Sequence, residues 1–372
     1  MIAAVGAAGG ILSWTFRDVD FVRVQALLQT IGSAGLAALL LPMGASLFIE
    51  SVGWGWAFQS FGRPVRLMGL FRVRVTSEAL ALTLPAGMLF CESMKPFLLA
   101  RHCGLPPEPG IAGMAARKYL LLVSQAAYIT LFAVLGAPFL ETAGAALFGR
   151  PGLSYAVLGA GLAVGLAALG CAMTLHRGRV AERVLRALSR LPIRRLRDVL
   201  QRSRPQFTGT DSELQLFFRG SLITSSLPAL AFLCGWLLES LETYLILRLL
   251  GVELPFVAVA SFEVALSFVR HVTFVLPAGL GVQDLGYVAF LRALGVHDPL
   301  VVGAAFVVLK RAKECIWAML GFALLWSDLR AAPTSICSAE GSAATQRRWA
   351  LSRLASLTWW TWSGAAPRHK SR

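Results

Sequence analysis

Runs such as Ile31 to Val52, Tyr119 to Leu140, Leu153 to Leu175, Ser221 to Leu238 and Leu300 to Trp326 each approach the roughly 20 residues that carry a helix across a hydrocarbon core of about 30 Å. A chain with several such runs has few folds open to it. In lipid every backbone N–H and C=O must find its partner inside the protein, which leaves helices or a closed barrel. No alternating barrel pattern is visible, so the sequence predicts an all-α polytopic membrane protein. Composition agrees: 56% of the residues are hydrophobic and 15% charged, and the mean hydropathy of +0.65 is far above that of a soluble domain.

Within this apolar chain Leu84-Pro85-Ala86-Gly87 recurs as Leu276-Pro277-Ala278-Gly279, and each copy opens a polar stretch. An acid follows at the same offset, Glu92 and Asp284. An Arg-x-x-Gly-aliphatic step comes next, Arg101 to Gly104-Leu105 and Arg292 to Gly295-Val296, and then a basic pair, Arg117-Lys118 and Lys310-Arg311. The pattern reads as an internal duplication of about seventy residues. Pro85 and Pro277 lack an amide donor and disfavour helix just before them, while Gly87, Gly279 and Gly281 tolerate backbone angles closed to other residues. A helix broken there leaves carbonyls free on one side and, where it restarts at Met88 or Leu280, a partly positive N-terminus able to hold a phosphate or carboxylate.

The formal charge of +15 reports topology first, because basic residues concentrate on cytoplasmic loops. Residues 54 to 75 carry Arg63, Arg66, Arg72 and Arg74 among Trp54, Trp56, Phe58 and Phe61, which reads as a cytoplasmic interface. His176 to Arg204 holds ten arginines against Glu182 and Asp198, with apolar residues near helical spacing, an amphipathic connection for anionic lipid. With both regions inside, residues 119 to 140 run outward, Glu141 to Gly152 forms an external loop, and 153 to 175 return. Residues 76 to 104 then enter and leave from the cytoplasmic side. Placing the Arg-rich C-terminus inside as well makes the second copy enter and leave from the opposite side. The expected architecture has about seven to nine membrane segments, with two inverted-topology repeats containing broken or re-entrant helices.

The expected organisation is an integral membrane domain over 1–326, with repeat units at about 71–140 and 263–326 and a basic cytoplasmic connection at 176–218. A basic, largely flexible cytoplasmic tail fills 327–372. Met1 to Phe16 fits a first membrane helix whose start is missing better than a secretory signal, since no Lys or Arg precedes it. The expected location is the bacterial cytoplasmic (inner) membrane, with the basic loop and the C-terminus in the cytoplasm.

Charge inside lipid costs about 3 kcal/mol per residue on insertion scales, so such residues are paired, protonated or in a wet cavity. Glu92 has Lys95 three residues on as a local partner, whereas Asp284 has only Tyr287 at that distance. Asp284 is therefore the stronger candidate to line a polar pathway. Arg117 either meets a headgroup or anchors at the cytoplasmic surface. Arg311, beside Lys310 and flanked by apolar sequence on both sides, either meets a phosphate or pairs with Asp284. Glu263 and Arg270 share one helix side, and His271 is a proton relay or a packing histidine. Glu239, Glu242 and Arg248 lie near the external end of their helix and read as interfacial.

Six cysteines lie far apart without zinc spacing, so no metal site is expected. No Gly-x-Ser-x-Gly elbow, phosphate loop, dinucleotide fingerprint or HExxH is present, which argues against an enzyme and leaves no cofactor to expect. The basic residues sit beside apolar spans rather than in a soluble module, so nucleic acid is excluded as a partner.

The stretch Leu276-Pro277-Ala278-Gly279-Leu280-Gly281-Val282-Gln283-Asp284, followed by Gly295-Val296 and Lys310-Arg311, resembles the flippase-like membrane region of lysylphosphatidylglycerol synthases and their stand-alone relatives. Leu84 to Glu92, then Gly104 and Arg117, is similar to that family's earlier element. Two departures stand out: Gln283-Asp284 replaces a Gly-Gly and Glu, and Gly87-Met88-Leu89-Phe90-Cys91 replaces a glycine-richer turn. In size, and in lacking an aminoacyl-transfer domain, the chain is similar to the hopanoid-associated branch. The resemblance implies translocation or transport of a polar-headgroup or polycyclic lipid, with membrane lipids as partners. Two alternatives are a non-transporting scaffold for lipid-biosynthesis enzymes and an intramembrane lipid transferase.

Overall fold

A computed structural model of the chain describes residues 10, 16, 17, 19–84, 87–176, 178, 183, 204–219, 222–272 and 281–330. The segment 1–9, most of the basic connection and the tail beyond Arg330 lie outside the described residues, as does the second Leu-Pro-Ala-Gly. One compact unit runs through Leu324, and residues from Leu325 onward form a second.

Every described element is helical. In chain order they are α1 (Phe21–Gln29), α2 (Ser33–Ala38), α3 (Leu40–Ser60), α4 (Leu67–Thr83), α5 (Gly87–Cys103), α6 (Pro107–Leu135), α7 (Ala137–Phe148), α8 (Leu153–His176), α9 (Arg204–Arg219), α10 (Leu222–Leu249), α11 (Phe256–Val272), α12 (Val282–Ala293) and α13 (Pro299–Arg330). Among the described residues, four helical stretches are long and apolar enough to cross a membrane: Ser33–Ser60, Pro107–Leu135, Leu153–His176 and Ser226–Leu249. Although α13 has 32 residues, Lys310, Arg311, Lys313 and Glu314 interrupt its apolar sequence.

Lipid tails are as apolar as leucine, so membrane helices associate through close packing and polar contacts rather than through water exclusion. The pairing of α3 with α10 shows this. A Cβ on Gly53 would lie 2.8 Å from Cβ of Ala231 and 3.1 Å from the Pro228 carbonyl oxygen, so the two backbones meet where α3 has no side chain. Around this pair, α6 touches α3, α5, α8, α9, α10 and α11 and forms the centre of the bundle.

The expected span over 119–140 is shifted. Helix α6 starts at Pro107 and stops at Leu135, and Gly136 separates it from α7. Pro138 explains the stop, because it has no N–H to give the carbonyl four residues back yet suits the first turn of a new helix. The expected external loop at Glu141 to Gly152 is corrected as well: residues through Phe148 are helical, and only 149–152 form the turn. Glu141 accepts hydrogen bonds from the amides of Gly152 and Ser154 and from the Ser154 hydroxyl. It thus satisfies donors that the start of α8 would leave unpaired.

Candidate functional site

The first Leu-Pro-Ala-Gly does break a helix. Residue Leu84 is extended, and α4 ends at Thr83. The Gly87 amide donates to the Leu84 carbonyl at 2.8 Å, and α5 begins there. A Cβ at Gly87 would lie 2.5 Å from the carbonyl oxygen of Leu80, so this turn admits only glycine. Helices α4 and α5 pack on each other as a hairpin. Pro85, Pro277 and Gly279 lie outside the described residues. Gly281 is described, with φ +83°, and α12 restarts just after it.

The hairpin brings its charges against α3 and α6. Glu50 of α3 accepts from two arginines at the same oxygen: Arg74 Nη2 lies 2.8 Å from Oε2 and Arg117 Nη2 3.0 Å from it. Arg74 also reaches Glu78 at 3.5 Å. The Arg117 guanidinium lies within 5.7 Å of the ring centroids of Trp54 and Phe232. One level away, Glu92 Oε1 receives Lys95 at 2.6 Å and Lys118 at 2.7 Å. Lys95 is buried. The local Glu92–Lys95 pair is therefore present, with Lys118 as a second partner.

Two expectations change here. Arg74 is not exposed beside the other arginines: it is buried with Glu50. Arg117 does not anchor at the surface, since it is only 4% exposed. Charges this deep are tolerated because each faces an opposite charge, and removing one partner would strand the other.

The second half contains a comparable network. Arg311 Nη2 lies 2.7 Å from Asp284 Oδ1 and Nη1 2.6 Å from Glu314. The other Asp284 oxygen accepts the Gly281 amide at 3.0 Å, which fastens the acid to the first turn of α12. The Asp284–Arg311 pairing is thus the one realised. Glu242 is corrected from interfacial to buried, bound by Lys313 and lying 3.9 Å from Lys310. Glu263 accepts from Thr243 and, at 2.7 Å, from the Tyr287 hydroxyl, which receives the Gln283 amide at 3.1 Å. Lys310 sits over the Tyr287 ring at 5.2 Å. Arg270 and His271 belong to α11, but their side chains lie outside the described residues.

The two networks correspond residue by residue. Glu50 to Glu242 and Glu92 to Asp284 are both steps of 192 residues, as is one Leu-Pro-Ala-Gly to the other. Arg117 to Lys310 and Lys118 to Arg311 are both steps of 193. Each acid of the first set meets a base of the first set, and the equivalent acid meets the equivalent base. Sequence reasoning missed Glu50, Arg74 and the true place of Glu242. A signal existed: Glu50-Ser51 and Glu242-Thr243 are matching acid–hydroxyl pairs within apolar helices.

Chemically, the arrangement presents fixed, buried cations and carboxylates among apolar helices, suited to holding polar groups that lipid excludes. A search among curated proteins returns no match. The family model described as Lysylphosphatidylglycerol synthase TM region matches residues 1–312, and the chain belongs to that family of membrane proteins related to lipid handling.

Proposed function

We propose that this protein translocates a polar-headgroup lipid across the membrane, passing the headgroup along the two buried networks while its tails stay in the bilayer. The observation that carries this reading is the repetition of acid–base pairs: Glu50–Arg117 and Glu92–Lys118 recur as Glu242–Lys310 and Asp284–Arg311. Stability alone gives little reason to keep such pairs in apolar helices, because well-packed hydrophobic residues do as well or better. Arg117 and Arg311, with the helix ends after Pro85 and Pro277, take the headgroup; Glu92 and Asp284 take its positive part or a coupling proton.

In this reading the two halves are inverted-topology repeats within about seven to nine membrane segments, one hairpin open to each side. The membrane is the bacterial inner membrane, with the basic connection and tail in the cytoplasm. The tails include polycyclic, hopanoid-type skeletons as well as acyl chains.

The test uses proteoliposomes holding a headgroup-labelled phospholipid and an impermeant quencher. Wild-type protein exposes inner-leaflet label faster than protein-free vesicles, and Asp284→Asn and Glu92→Gln each slow this by about tenfold or more. Wild-type protein that leaves the label where it started would sink the reading.

A further inference from the structure

We infer that the paired guanidiniums of Arg74 and Arg117 form an anion site that takes the phosphoryl group of the lipid headgroup. This rests on the translocation reading and names the chemistry that its first half recognises.

The two arginines come from α4 and α6 and converge on one oxygen of Glu50, at 2.8 and 3.0 Å. Each guanidinium has five N–H donors in a fixed fork. Arg74 spends its two Nη groups on Glu50 and Glu78, and Arg117 one of its own on Glu50. The Nε of both is buried and has no hydrogen-bond partner, although the side chains are only 8% and 5% exposed. Buried donors on charged groups are normally satisfied, so two orphans on adjoining guanidiniums point to an acceptor that arrives from outside the protein. Trp54 and Phe232 flank Arg117 and hold its plane, but supply no oxygen.

Charge favours the same ligand. Among the paired groups of the first network, Arg74, Lys95, Arg117 and Lys118 face Glu50, Glu78 and Glu92, which leaves one positive charge over. An anion therefore belongs in this network. A tetrahedral oxyanion suits it best, since a guanidinium gives such a group two parallel N–H bonds where an ammonium gives a point charge. Glu50 occupies the shared centre as a resident anion, so an incoming phosphoryl oxygen competes with it.

Two substitutions then act in opposite directions. Arg74→Lys and Arg117→Lys keep the charge and a partner for Glu50 but remove Nε and the fork. Glu50→Gln keeps the shape and removes the competitor.

The experiment uses the full chain in an uncharged, phosphate-free detergent at constant ionic strength. Calorimetric titrations compare dihexanoyl-phosphatidylglycerol, neutral dihexanoylglycerol and inorganic phosphate. The phospholipid should bind saturably and the neutral lipid not. Each Lys variant should weaken phospholipid binding by about tenfold or more, while Glu50→Gln tightens it severalfold. Should the Lys variants fail to fold, the sign of the Glu50→Gln change decides alone. Unchanged or weaker binding in Glu50→Gln, or undiminished binding in folded Lys variants, overturns the site. Inorganic phosphate binding as tightly as the phospholipid overturns its assignment to a lipid. Protein that moves labelled lipid yet ignores all three substitutions keeps the proposed function and loses this site; protein that binds through the arginines and moves nothing keeps the site and loses the function.

Discussion

Arg311 places Nη2 2.7 Å from Oδ1 of Asp284, an acid with no exposed surface. The equivalent contact in the first half, Lys118 to Glu92, has the same length but joins side chains that are 45% and 24% exposed. Equivalence by position is therefore not equivalence by energy.

Removing each base in turn measures the difference. Arg311→Ala strands a carboxylate that water cannot reach, at a cost of about 3–5 kcal/mol. Lys118→Ala removes a half-exposed cation, and Glu92 keeps Lys95; the expected loss is about 1 kcal/mol or less. Unfolding of the two variants in one non-ionic detergent reads both values, and equal losses would contradict the burial argument.

A single methyl group should separate two glycines one turn apart or less on α3. Gly53→Ala pushes a Cβ to 2.8 Å from Ala231 and 3.1 Å from a backbone oxygen of α10, whereas at Gly55 the nearest atom is a flexible leucine end at 3.6 Å. The first should destabilise by about 1–3 kcal/mol through overpacking. The second should be neutral or stabilising by up to about 1 kcal/mol, the helix-propensity gain of alanine. Melting curves of the two purified variants give the opposite signs directly.

Glu141 supplies an acid-side pH dependence. Its hydrogen bonds from Ser154 and Gly152 hold its carboxyl below the ordinary value of 4.5. A folded pKa below the unfolded one means that this stabilisation is complete above about pH 5 and fades as pH falls through the lowered value. Wild type should melt above Glu141→Gln at pH 7, and the gap should close as the buffer is taken toward about pH 2. A gap that stays constant across this range would show that the carboxylate charge has no part in capping α8.

Spans and the first break could be read from the chain because their causes are local. A run of apolar residues is long enough or it is not, and Gly87 sits where a proline-broken helix must restart. The candidate charges Glu92, Arg117, Asp284 and Arg311 stood out for the same reason, as ions inside apolar sequence. Arg74 did not, because three other arginines nearby gave it the look of an interfacial residue, and only the docking of α4 against α3 shows where it goes. Glu242 was misread for its nearness to a helix end. Its lysines come from α13, 68 and 71 residues further on, a distance over which sequence alone gives no contact. The helix at α7 was missed for a simpler reason: a short segment between two spans was read as a loop, although nothing from Phe139 to Phe148 breaks helix.

The single oxygen of Glu50 that serves both Arg74 and Arg117 has a mechanical meaning. Helices α3, α4 and α6 are tied together through this one atom, in addition to the packing of α3 on α4 and on α6. Loss of Glu50 would therefore remove the shared acceptor of α4 and α6 in a single step. A second tie, Glu92 of α5 to Lys118 of α6, holds the other arm of the hairpin, so moving the hairpin away from α6 breaks ion pairs on both of its arms.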